Sequence, residues 1–121
     1  MKRLEAIEIN GIRICELIAD GVAISDAQDA LDMMADCSSI GSKKIIVLEK
    51  NIIPGFFDLS TGIAGEILQK FSTYGVQLAI VGDYAKFPSK SLRDFIFESN
   101  KAGRIYFVGT VAEAKQRLSA M

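Results

Sequence analysis

Three short apolar runs, at 44–48, 76–81 and 105–108, set the terms on which this chain can fold. The first contains Ile45-Ile46-Val47-Leu48. A strand apolar at every position belongs in the middle of a parallel sheet, buried on both faces. Between the runs lie segments whose apolar residues recur at helical spacing: Ile63, Ile67, Leu68 and Phe71, then Leu92, Phe95 and Ile96. Gly75 and Gly103 stop these helices, and Pro88-Ser89 opens the second. Strands alternating with helices imply parallel pairing through right-handed crossovers.

The amino-terminal part follows a different rule. Residues 4–9 and 12–18 are β-rich and flank Asn10-Gly11, the pair best suited to a hairpin turn with positive φ at both positions. Ser25-Asp26-Ala27-Gln28 fits a capping box with Ser25 as N-cap. Ala27, Ala30, Leu31 and Met34 continue as a helix whose other face carries Asp26, Asp29, Asp32 and Asp36, read as a solvated acidic face. Thr110-Val111-Ala112-Glu113 is a second capping box and opens a carboxyl-terminal helix. The expected fold is α/β, ordered ββαβαβαβα, with a mainly parallel five-stranded sheet of successive βα units. With no linker, repeat or low-complexity stretch, residues 1–121 are expected to form one domain.

Composition narrows the function. The chain has 121 residues and no histidine, so the usual general base and commonest metal ligand are missing. No cofactor and no metal site are expected. Net charge is -1, from 14 basic and 15 acidic residues, with no basic stripe beyond Lys43-Lys44, so nucleic acid is not an expected partner. No run is long and apolar enough for a membrane span, and Glu5 and Glu8 interrupt any leader-like start. A cytoplasmic location without membrane attachment is expected. Cys15 and Cys37 match neither a redox nor a zinc spacing and are read as buried, reduced thiols.

The stretch Asp58-Leu59-Ser60-Thr61-Gly62-Ile63-Ala64-Gly65, set between an apolar strand and its helix, resembles the turn of STAS domains of the anti-sigma-factor-antagonist, SpoIIAA-like type. Setting Thr61-Gly62 against that family's Ser-Gly puts Ser60 at the switch serine. Leu59 then stands at the family's aspartate position, with Asp58 one residue before it. More closely, the chain is similar to the bacterial family designated domain of unknown function 4180. The matching stretches are Phe56-Phe57-Asp58-Leu59, Gly62 through Phe71, Ala79-Ile80-Val81-Gly82-Asp83 and Ser89-Lys90-Ser91-Leu92-Arg93-Asp94-Phe95.

Ligands of open α/β sheets collect at the carboxyl ends of the parallel strands. That rule gathers Glu49, Asp83 and the helix start near Thr61 and Gly62. Asp58, Ser60 and Thr61 read first as caps; the resemblance adds phosphorylation of Ser60 or Thr61. Phe56 and Phe57, on an extended loop, would point opposite ways, leaving one ring as an exposed partner anchor; the other reading packs both beneath the loop. Gly65, inside a helix, is read as a close approach to the sheet. The leading expectation is a non-catalytic regulatory module that presents residues 56–65 to a protein partner or to a second copy. The alternative is a small-molecule or lipid-type ligand binder, or an enzyme, using the crevice near Glu49, Asp58 and Asp83.

Overall fold

The computed structural model describes residues 2–120. Its strands are β1 (Lys2–Ile9), β2 (Ile12–Ala19), β3 (Lys44–Leu48), β4 (Gln77–Val81) and β5 (Ile105–Val108). Its helices are α1 (Ala27–Ser39), α2 (Ile63–Tyr74), α3 (Lys90–Ala102) and α4 (Val111–Ser119). The five strands lie side by side in chain order; β1 is antiparallel to β2 and every other pair is parallel. The expected ββαβαβαβα order and mainly parallel sheet are those observed.

Sequential strand order has a steric consequence. Each crossover advances the sheet in the same direction, so a constant right hand places α1, α2 and α3 on one face. Cys15, Leu17, Ile45, Val47, Leu78, Ile80 and Phe107 face that layer and pack with Met33, Met34, Ile67, Phe71 and Leu92. The alternate residues Ile14, Ile46, Ala79 and Val108 face the other way, against Ala114 and Leu118 of α4. Burial on both faces explains the unbroken apolar run of β3. Lys44 anchors α4 from below. Its ammonium donates to the Leu118 carbonyl at 2.7 Å and to Gln77 Oε1 at 2.5 Å, which suits a helix carboxyl end. Burial lowers its pKa.

The Asn10-Gly11 turn has φ of 55° and 79°, and Ile9 sits opposite Ile12, as a two-residue hairpin requires. The start of α1 differs from expectation. Asp26, not Ser25, is the N-cap. Its carboxylate accepts the Asp29 N–H at 2.9 Å, and Asp29 in turn accepts the Ser25 N–H at 2.9 Å, while Gln28 bonds to Asp32. The cap thus falls one residue later than in the Ser–Gln frame, and the return bond from Asp29 reaches the N–H of the residue before the cap. Asp26, Asp32 and Asp36 are exposed, as a solvated face should be.

Asn51 binds the two loops that follow β2 and β3. It is wholly buried, and its amide donates to the carbonyls of Ala19 at 3.0 Å and Gly21 at 2.8 Å. Its main-chain carbonyl accepts from the N–H groups of Ala23 and Ile24. Gly65 does not approach the sheet. It is exposed, and a Cβ there would meet nothing within 4 Å. Gly65→Ala should therefore stabilise the fold by about 0.5–1 kcal/mol through helix propensity alone. Urea unfolding checks this; destabilisation would mean that Gly65 makes a contact this structure lacks.

Candidate functional site

Between β3 and α2 the chain makes three short 3-10 turns, Glu49–Asn51, Pro54–Phe57 and Leu59–Thr61. Pro54 starts the second, and Gly62, at φ 78°, ends the third and caps α2. The helix thus begins at Ile63, two residues later than Thr61. The reason is local competition for backbone groups. Asp58 Oδ1 accepts the Ser60 N–H at 3.1 Å and the Ser60 hydroxyl at 2.6 Å. The Thr61 hydroxyl lies 2.8 Å from the Gly55 carbonyl and 2.9 Å from that of Asp58, and accepts the Ile63 N–H at 3.2 Å. Three side chains thus satisfy a turn that no helix or sheet ladder would hold.

Asp58, Ser60, Thr61 and Gly62 are exposed at the carboxyl end of the sheet. The two Ser60 bonds, the hydroxyl first, hold the Asp58 carboxyl below its usual pKa. Of the two hydroxyls, that of Thr61 is tied to three backbone groups and that of Ser60 to one carboxylate. Ser60 is therefore the freer acceptor for a modifying group.

Phe56 and Phe57 are both buried, at 1% and 4% exposure, so neither is an exposed partner anchor. They lie in a 3-10 turn, where successive side chains are about 120° apart and not on opposite sides. Their rings meet edge-on at 5.0 Å. Phe57 also stacks on Phe87 at 5.2 Å, and lies 6.1 Å from Tyr84, which meets Phe107 edge-on at 5.5 Å. These contacts fasten the loop after β3 to the loop after β4. The Tyr84 hydroxyl donates to the Ile80 carbonyl at 2.6 Å. Burial, and then the charge of Glu49, push its pKa well above the usual tyrosine range.

Glu49 and Asp83 have local tasks as well. Glu49 pairs with Lys86 at 2.6 Å, joining the same two loops. Its side chain crosses directly over Gly82, where an added Cβ would lie 2.7 Å from the Glu49 Cβ. Asp83 is exposed and accepts the Ala85 N–H at 3.1 Å. Glu49, Asp58 and Asp83 are thus held in separate hydrogen-bonding arrangements, and Phe57, Phe87 and Tyr84 pack where the loops meet. A cavity of about 490 Å³ lies instead at the amino ends of the strands, lined by Leu31, Met34, Ala35, Lys43, Tyr74 and Val76. Among the described residues, no three His, Cys, Asp or Glu side chains are placed to hold a metal ion, and no helix is long and apolar enough to cross a membrane.

Sequence reasoning missed the roles of Tyr84 and Phe87, whose only signal was two aromatics in a short loop after Gly82-Asp83. It also missed that Cys15 and Cys37, far apart in the chain, are neighbours. Both are buried and free. Burial, followed by the hydrogen bond with Cys15, pushes the Cys37 thiol up to about 12.

The sheet, its one-sided helical layer and the polar turn at its carboxyl edge define an α/β protein built of successive strand–helix units. Residues 9–118 match the family model described as Domain of unknown function (DUF4180), and the chain belongs to that family. No curated protein and no solved structure matched it.

Two outcomes follow from the geometry. Ionised Asp58 favours the fold above the ordinary carboxylate range, near pH 4, and that contribution is lost as pH falls through its lowered pKa. In Ser60→Ala the Asp58 carboxyl should titrate at higher pH, so its contribution is smaller and is fully lost at a higher pH; carbon-detected NMR titration reads this, and an unmoved titration point would contradict the hydrogen bond. Neither cysteine should react with a thiol reagent at pH 8 until the protein unfolds. Fast labelling of the folded chain would show that the core opens.

Proposed function

We propose that this protein is a non-catalytic, STAS-like regulatory module that binds a protein partner through its exposed turn at residues 58–62. Phosphorylation of Ser60 would switch that binding. The observation that carries the reading is the 2.6 Å bond from the Ser60 hydroxyl to Asp58 on an exposed turn. A phosphate on Ser60 removes that donor and sets a dianion beside the carboxylate, while the nearby amino end of α2 attracts it. Opposed forces of this kind give a turn two arrangements. The buried aromatic contacts beneath, from Phe56 to Phe107, supply the rigid base against which the turn would move.

The ββαβαβαβα order agrees with the STAS resemblance, and Ser60 stands at the switch position that the resemblance assigns. The absence of histidine and the separate engagement of Glu49, Asp58 and Asp83 favour presentation over catalysis. Two neighbouring thiols left as free cysteines fit a reducing, cytoplasmic setting.

Affinity capture from cells of the native host tests the proposal with wild type, Ser60→Ala and Ser60→Asp as baits. One protein should be retained by wild type and Ser60→Ala and lost, on the order of tenfold, with Ser60→Asp. Equal recovery by all three baits would end the switch. Gly62→Asp, at the same turn, should lose the partner too, and a partner retained by it would place the interface elsewhere.

A further inference from the structure

β1 is the outer strand of the sheet, and its free edge is long and regular. Its eight residues contain no proline, and they pair one-to-one with β2 from Lys2↔Ala19 to Ile9↔Ile12 without a bulge. Short strands, prolines, bulges and covering loops are the usual protections of an edge. Among the described residues, no backbone hydrogen bond from another loop or turn reaches this strand.

The hairpin decides which groups face outward. In a two-residue hairpin the pair flanking the turn exchanges both of its hydrogen bonds. Ile9, Ile7, Glu5 and Arg3 therefore bond to β2. Lys2, Leu4, Ala6 and Glu8 turn their N–H and C=O groups away from the sheet.

We propose that this edge pairs antiparallel with β1 of a second copy, about a two-fold axis normal to the sheet at Glu5, so that two five-stranded sheets become one. Such an axis keeps each face of the sheet on its own side, so residues opposite one another must share a face. The bonding residues must also be outward ones on both copies. Centres at Leu4, Glu5 and Ala6 meet both conditions. The centre at Glu5 aligns all of residues 2–8, so that four outward residues on each copy form bonds. The other two centres use three.

The larger number of bonds sets this register above the centre at Leu4, which would put Arg3 opposite the partner's Glu5, and charge sets it above the centre at Ala6. Lys2 falls opposite the partner's Glu8, twice by symmetry, and Leu4 opposite the partner's Ala6. Glu5 meets the partner's Glu5 on the axis. Arg3 stands 2.9 Å from Glu5 of its own chain, and the partner's Arg3 comes to the diagonal position, so the four charges alternate in sign. The centre at Ala6 sets Glu8 against the partner's Leu4 and Arg3 against the partner's Ile9, with no opposite charges aligned. The interface is isologous and closes on itself, leaving β5 as the outer strand at both ends. The two Ser60 turns then lie at opposite ends of the joined sheet, on its common three-helix face.

Analytical ultracentrifugation of the full chain over a concentration series tests the pairing. Wild type should associate to dimers and no further. Ala6→Pro removes an outward N–H without touching the β1–β2 bonds and should leave a folded monomer, with its circular dichroism retained. Glu8→Lys should weaken the dimer on the order of tenfold, and Lys2→Glu combined with Glu8→Lys should restore it. The register has its own test. Opposite residues in a non-bonded pair lie roughly 4.5 Å apart at Cα, within disulfide reach. Glu5→Cys should oxidise to a covalent dimer, and Leu4→Cys and Ala6→Cys should not. A wild type that stays monomeric at about 100 µM, where even a weak specific dimer forms, would overturn the proposal. So would a dimer that survives Ala6→Pro, and covalent dimers through Ala6→Cys would overturn the register.

Discussion

The fold depends on one steric constraint: every crossover between parallel strands has the same hand. Because β2, β3, β4 and β5 follow one another across the sheet, that hand stacks α1, α2 and α3 on a single face. The opposite face is left to α4, which arrives only after the last strand. The same constraint brings the loops after β3 and β4 side by side at the carboxyl edge. Phe57 can stack on Phe87, and Glu49 can reach Lys86, because the two loops have nowhere else to go.

That crowding separates two kinds of residue within one loop. The rings of Phe56 and Phe57 go inward and hold the loop down. Asp58, Ser60 and Thr61 stay outside and are ordered by their own hydrogen bonds. On the proposed reading, this surface is stiff enough to be recognised and rests on a bond that phosphorylation of Ser60 would break. Gly55 and Gly82 belong to the same design. A Cβ at the first would lie 2.9 Å from Ile63 Cδ1, and at the second 2.6 Å from Glu49 Oε1.

Much of the architecture was legible in the sequence because its signals are local and redundant. Ile45 through Leu48 admit few readings other than a doubly buried strand, and Asn10-Gly11 specifies its turn through backbone sterics. Where two capping-competent residues stand in a row, as at Ser25-Asp26, spacing alone does not choose the frame; the bond from the Asp29 N–H to the Asp26 carboxylate does. The placement of Asp58, Ser60, Thr61 and Gly62 at the carboxyl edge of the sheet was legible too, because it follows from the strand–helix order alone. Of the two readings of Phe56 and Phe57, the one that packs both beneath the loop holds; an assumed extended loop could not choose it, because a 3-10 turn rotates successive side chains by about a third of a circle. The Phe57–Phe87 stack and the meeting of Cys15 with Cys37 depend on long-range packing, which no local pattern encodes.

The central claim is that the Ser60–Asp58 bond holds a working surface in one of two arrangements. Amide hydrogen exchange on a chain carrying phosphoserine at position 60, compared with the unmodified protein, tests it most directly. The account predicts faster exchange at Ser60, Thr61 and Ile63, with the amides of Phe56 and of the sheet strands unchanged. Identical protection in both chains would contradict it, because the turn would then be rigid whether or not that bond exists.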